Sequence, residues 1–416
     1  MTHRSPPGHG HSWREGPSST YRWSVLAAAL FAQTTAAVAT QGIGVLGGLM
    51  QADMALTGAQ LGLLAGALNA VPIVGLVVAG RWLDFSGEGR VVASGATLMA
   101  LGMMLAAHAT TLAGLAGWLL LVGTGYSTVQ PGGSRAILRW FPPRERGLAM
   151  GLRQAGLPLG GVLAAALFPA FAQIYGWRMA WVLGAVLTLL GASAFCLVQG
   201  VGRQRPLSAP QARARAPAEA LRPRVLLHLP RLRLALAAGA VLVGLQTIAL
   251  TFLVLYLQQR YWLSVASGAV YLLAMQLSGA LGRVLLALLS DRWRGGRRFV
   301  VGLAVVGALL GWIALGVYPR AWPPAGLWFV TIWLGFFGFG WYGPWVTWIA
   351  ELAPAGREGS LLGVTMASNQ IAIVAAPCVF GVLVDSYGYL VPGTAVAALL
   401  LVYVVWEAGA VARQDA

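Results

Sequence analysis

The chain runs to 416 residues, of which 58% are apolar and only 10% charged. Soluble domains hold roughly 45–50% apolar and about 25% charged residues, so water is excluded as the main solvent of this fold. The formal net charge of +16 comes from 28 basic residues, every one an arginine. They fall in separate stretches, Arg4 to Arg22, Arg135 to Arg146, Arg203 to Arg233 and Arg292 to Arg298, rather than in one folded basic domain, which excludes nucleic acid as the partner.

A helix that crosses a bilayer needs about 20 apolar residues, and twelve stretches meet that demand. Residues 1–21 form a polar tail rich in His, Pro, Ser and Gly. The apolar run after Arg22 is too long for a cleaved leader and is read as the first retained span. Spans are expected at 22–49, 57–80, 90–108, 112–140, 147–172 and 179–199, making a first six-helix bundle over 22–199. Residues 200–231 follow as a basic linker, read as a solvated tether. A second bundle over 232–408 takes spans at 232–256, 266–289, 299–317, 326–350, 360–385 and 392–408, and 409–416 is a tail. The fold class is therefore all-α and integral to the membrane, in two halves, with the lipid bilayer as a partner.

The four arginine clusters all fall on one side of such a topology, and the opposite side receives only Arg178, Arg260 and Arg320. The positive-inside asymmetry then expects both termini and the linker in the cytoplasm. Arginine, alanine and glycine without lysine are what a GC-rich bacterial genome would encode, so a bacterial inner membrane is the expected location. Cys196 and Cys378 lie within apolar spans and read as small packing residues. The five histidines, His3, His9, His11, His108 and His228, are spread over the tail, one span end and the linker. No phosphate-binding loop, zinc-protease motif, spaced Cys/His cluster or nucleophile elbow is present. No enzyme activity, cofactor or metal is expected.

The two halves repeat. Gly80-Arg81-Trp82-Leu83-Asp84-Phe85-Ser86-Gly87-Glu88-Gly89-Arg90 follows span 2, and Leu289-Ser290-Asp291-Arg292-Trp293 follows span 8, with the aspartates 207 residues apart. Gly147 and Gly151 before and in span 5 match Gly359 and Gly363 of span 11 at an offset of 212. An aspartate beside a glycine turn at a span end can accept hydrogen bonds from a neighbouring helix N-terminus or pair with arginine.

These residues carry a resemblance to the major facilitator superfamily of secondary transporters, whose loop between spans 2 and 3 holds a glycine–aspartate–arginine–glycine–basic pattern. The chain keeps Gly80, Asp84 and Gly87 but has Phe85 and Glu88 where the family has basic residues; the second copy keeps Asp291 and Arg292 with Ala287 for the leading glycine. The resemblance implies two pseudo-symmetric six-helix bundles that alternate access to a central site. It also implies a conformational latch at Gly80, Asp84, Gly87, Arg90, Arg146, Asp291, Arg292 and Arg357, with Arg90, Arg146 and Arg357 as partners of the aspartates.

Charges inside a membrane cost several kcal/mol unless paired or hydrated, and so mark function. Arg153, about 10 Å into span 5, and Arg283, about 12 Å above Asp291 in span 8, are the two such residues, with no acid at similar depth. The centre is expected to be electropositive, suited to a carboxylate or another oxyanion. Arg283 resembles the span-8 arginine of oxalate–formate exchangers and monocarboxylate carriers. Span 11 lacks the second base of the exchangers, having Asn369 and Gln370, and the acidic neighbour of the monocarboxylate carriers is also missing. For each arginine a structural role, satisfied by carbonyls or by the surface, stays open beside the substrate-binding one. Gln33 and Thr34, Tyr126, Gln246 with Thr247, Gln276, and Trp341, Tyr342 and Trp345 join Asn369 and Gln370 as further cavity candidates. Trp23, Trp140, Trp177, Trp181 and Trp406 are expected as interfacial anchors.

The expectation is a monomeric secondary carrier of a small, anionic solute, with proton or counter-anion coupling left open. The alternatives are an exporter of amphipathic drugs, suggested by aromatic span 10, and a transporter-like ligand sensor.

Overall fold

A computed structural model describes residues 19–56, 58–201, 230–293, 296–321, 323–354 and 356–415. Most of the expected N-terminal tail and nearly all of the basic linker lie outside the described residues. The described residues hold no strand, and twelve helical spans are long and apolar enough to cross a membrane. Spans 1–6 are Thr20–Met54, Gln60–Ser86, Glu88–Ala107, Leu112–Trp140, Pro143–Tyr175 and Trp177–Gln199. Spans 7–12 are Pro230–Tyr261, Val270–Arg292, Gly296–Val317, Pro324–Glu351, Glu358–Tyr387 and Leu390–Ala410. Span 1 is mostly enclosed, whereas spans 11 and 12 turn most of their apolar surface outward, as helices solvated by lipid do.

Three spans are each two helices in series. Span 2 breaks between Ala70 and Pro72, span 5 between Gln154 and Gly156, and span 10 between Gly340 and Tyr342. A proline lies just beyond each break, at Pro72, Pro158 and Pro344. Lacking an N–H, each leaves the carbonyl four residues earlier, of Leu68, Gln154 or Gly340, without its intrahelical donor.

The halves meet through glycines. A Cβ at Gly80 would strike the carbonyl of Gly359, one at Gly363 the carbonyl of Leu76, and one at Gly151 the carbonyl of Arg283. These contacts press the inner helix of span 2 (Pro72–Ser86) on span 11 and the first helix of span 5 (Arg146–Gln154) on spans 8 and 10. All of them lie toward the linker. Farther out, a Cβ at Gly44 or Gly48 of span 1, or at Gly62 or Gly66 of span 2, would meet open space.

The tryptophans divide differently from expectation. Trp23 and Trp406 are exposed, but Trp181 is fully buried and Trp140 and Trp177 nearly so. Trp177 donates to Asp53 at 3.2 Å and Trp140 packs on the Tyr21 ring, so these two hold spans together inside the first bundle.

Candidate substrate-binding site

Arg283 sits nine residues before Arg292, about 13 Å from the linker end of span 8. Its Nε donates to the Phe339 carbonyl at 3.1 Å and its Nη1 to the Gln154 carbonyl at 2.7 Å. Gln154 O is the group that Pro158 deprives of a donor, and Phe339 adjoins the break in span 10. Arg283 thus bridges an interrupted helix in each half. Nη2 has no hydrogen-bond partner among the described residues, and Arg283 lines a central cavity of about 50 Å³.

That cavity draws on both bundles. Gln41, Leu157 and Pro158 come from the first and Gln246, Gln276, Gly279, Arg283 and Phe339 from the second. One cation, three neutral amides and apolar walls make the lining, and no carboxylate belongs to it. Such a surface attracts an anion and can hydrogen-bond its hydroxyl or carbonyl groups. The expected Gln246, Gln276 and Arg283 are brought together here. Gln41 was not among the candidates; the available signal was an amide within an apolar span, the same that singled out Gln246 and Gln276.

Arg153 is placed otherwise. It is fully buried, donating from Nη1 to Ser134 Oγ at 3.1 Å and from Nη2 to Gln33 Oε1 at 2.9 Å and the carbonyls of Val129 and Gln130 at 3.0 Å. The space exists because residue 133 is glycine: a Cβ there would overlap the guanidinium. Gln33 is consequently held in the first bundle rather than at the cavity, and Thr34 bonds its own helix at Leu30 O, 2.9 Å. Tyr126 accepts from Gln130 at 3.4 Å beside this cluster.

In span 10, Trp341 and Trp345 are fully buried and their rings pack on Tyr342. Trp345 donates to Ala235 O at 2.6 Å. The aromatic residues that suggested a drug site are therefore largely core of the second bundle. Asn369 is buried, with neither amide atom paired among the described residues, and Gly239 leaves it room. Gln370 donates to the Asn69 carbonyl at 2.9 Å, joining the halves near the membrane centre.

Nearer the linker the two aspartates make reciprocal contacts. Asp84, at the end of span 2, accepts from the amides of Gly359 and Ser360 at 3.0 and 3.1 Å and from the Ser360 hydroxyl. Asp291, at the end of span 8, accepts from the amides of Gly147 and Leu148 at 3.0 and 2.7 Å. Each carboxylate thus caps a helix of the opposite half, where unpaired N–H groups and the helix dipole favour negative charge. Gly80 gives the close approach and Gly87, at φ 78°, the turn into span 3.

The arginine partners differ from those expected. Arg135 lies 3.8 Å from Asp84, and Arg297 pairs with Asp291 while donating to Pro143 O at 2.6 Å. Arg146 is turned back on its own loop, donating to Phe141 O and Leu138 O at 3.1 and 3.0 Å, and Arg357 lies 5.9 Å from the Phe85 ring centre. Arg90 and Arg292 are exposed. Glu88, where a basic residue was expected, is buried and paired with Arg139 at 2.7 Å and Arg135 at 3.5 Å. Its negative charge, with the Leu83 carbonyl to which Arg135 also donates, holds Arg135 beside Asp84.

The sequence profile described as Major Facilitator Superfamily matches residues 29–377. An uncharacterised transporter of that type from Mycobacterium tuberculosis is 34% identical over 232 residues, 55% of this chain and 50% of its own length, so the match spans about half of that relative. Monocarboxylate transporter 13 of Bos taurus is 30% identical over 77% of this chain and 73% of its own length. The galacturonate transporter of Dickeya chrysanthemi is 31% identical over 34% of this chain and 41% of its own. Among solved structures, the transporter FucP of E. coli in the outward conformation superposes with a TM-score of 0.71 at 17% identity, covering 92% of this chain and 98% of that one. The human organic anion transporter MFSD10 gives 0.73 at 17% identity over 92% and 99%.

Proposed function

Because this chain belongs to the major facilitator superfamily, a family of membrane transporters, we propose that it is a secondary carrier of a small organic carboxylate. The observation that carries the substrate class is the central cavity: Arg283 presents a guanidinium nitrogen to a lining of three glutamines that contains no acid. A neutral solute would leave that charge uncompensated, and a cation would be repelled. Two of the relatives named above are transporters of monocarboxylates and of galacturonate, which share the carboxylate group.

Arg283 has a second part in the cycle. Its Nη1 is held by Gln154 O, a group of the other half, only while the linker side is closed. When the halves part there, that nitrogen loses its acceptor, and a bound carboxylate takes it over in bidentate fashion. Substrate thereby stabilises the opening it needs. Asp84 and Asp291 act as the paired latch of the closed side. Arg153 serves as a structural brace of the first bundle, and the proton, if one moves, rides on the substrate or is replaced by a counter-anion. The carrier works as a monomer in a bacterial inner membrane, with linker and termini cytoplasmic.

Ligand-dependent thermal unfolding of the purified protein tests the substrate class. Galacturonate or short monocarboxylates should raise the unfolding temperature and their uncharged alcohol analogues should not. Stabilisation by the alcohols alone would overturn the assignment.

A further inference from the structure

The outer half of the second bundle encloses a larger hollow, apart from the central cavity, of about 490 Å³. Ligand pockets commonly measure roughly 300–1,000 Å³ and are apolar with a few polar anchors. The walls come from spans 7, 9, 11 and 12, with Phe252, Trp312 and Phe380 supplying the apolar faces and Arg260 and Tyr389 the polar groups. Two walls are fixed by their own bonds: Tyr256 donates to Leu315 O at 3.2 Å and Trp312 to Gly393 O at 2.9 Å.

One polar group lacks a hydrogen bond and the other lacks a counter-charge. The Tyr389 hydroxyl is buried and has no hydrogen-bond partner among the described residues. Arg260 has no carboxylate within 4.0 Å among them and hydrogen-bonds only to the hydroxyls of Tyr256 and Tyr261, so its charge is uncompensated there. Asp385 faces Tyr389 but is exposed and does not line the hollow. Arg260 stands one residue before the end of span 7, and Leu390 opens span 12, so the mouth is on the face opposite the linker. Ile248 lies twelve residues deeper, about 18 Å along the helix, which is room for an extended apolar chain.

We propose that this hollow is a second binding site, for an amphipathic carboxylate that sets its head on Arg260 and Tyr389 and its apolar body between Phe252, Trp312 and Phe380. A guanidinium with no carboxylate partner beside apolar walls gains most from a carboxylate whose remainder is apolar. Neither an uncharged amphiphile nor a small polar anion satisfies both surfaces. The site does not depend on the reading of the central cavity.

Equilibrium binding of labelled dodecanoate to the full chain in zwitterionic nanodiscs, beside labelled dodecanol, tests it. Dodecanoate should bind saturably and dodecanol far more weakly. Arg260→Gln should weaken dodecanoate about tenfold, the loss of one charge-assisted pair. Gly393→Leu should abolish binding by filling the hollow, since a Cβ there meets nothing within 4 Å and the fold is spared. Arg283→Ala should leave this binding unchanged. Equal binding of dodecanol would mean that a lipid tail fills the space, and unaltered binding in Arg260→Gln or Gly393→Leu, or loss in Arg283→Ala, would equally overturn the proposal.

Discussion

Two arginines were legible as the intramembrane charges, but only their partners separate them. Arg153 spends both terminal nitrogens on Ser134, Gln33 and two carbonyls of one bundle, its Nε being enclosed and unpaired among the described residues, whereas Arg283 spans both bundles and lines the cavity with Nη2 unpaired. Arg153→Ala should therefore lower unfolding stability by about 2–4 kcal/mol, because it leaves buried acceptors unpaired and a void. Arg283→Ala also frees the Phe339 and Gln154 carbonyls and should lose some stability, but it alone should bind carboxylate at least about tenfold more weakly. Calorimetry and equilibrium binding on the two variants check this, and a reversed pattern would exchange their roles. The distinction could not be read from sequence, since backbone carbonyls carry no side-chain signature. Gly133 and Pro158, which create the room and the free carbonyl, were visible without their counterparts across the fold.

Between elements, the glycine seams and aspartate caps join the two halves toward the linker. Gly151 touches the Arg283 backbone, so Gly151→Val should wedge span 5 from span 8. A cysteine at Leu148 should then react faster with a thiol reagent from the linker side; an unchanged rate would mean that the seam does not gate. Asp84→Asn removes the charge that caps Gly359 and Ser360, a contact of about 1–2 kcal/mol. Its transport rate should fall severalfold with normal membrane insertion, and full transport would remove the latch role. The repeat offsets of 207 and 212 residues made this pairing of loops legible. Its crossed form was not, because each aspartate caps the other half's helix. Of the serving arginines, Arg135 stands outside the motif and is recruited by the charge of Glu88, whereas Arg297 follows Gly296 at the basic end of the second copy. The break in span 10 had a signal in Pro344, where hydropathy alone reads a continuous helix.

For the whole molecule, apolar length and repetition sufficed for the architecture, because a bilayer admits few ways to satisfy the backbone and twelve helices use the chain. The halves touch on the linker side and near the centre, while glycines of the outer halves of spans 1 and 2 face open space. Parting the halves on the linker side would require breaking both aspartate caps and the Arg283–Gln154 bond. The cavity's composition, more than its size, argues for a carboxylate: three amides and a cation that the sequence scattered over spans 1, 7 and 8. Uptake of labelled galacturonate and short monocarboxylates into proteoliposomes, with wild type beside Arg283→Ala, is the most direct measurement. Saturable carboxylate uptake that the alanine variant loses is the expected result, and undiminished carboxylate uptake by Arg283→Ala would contradict the account.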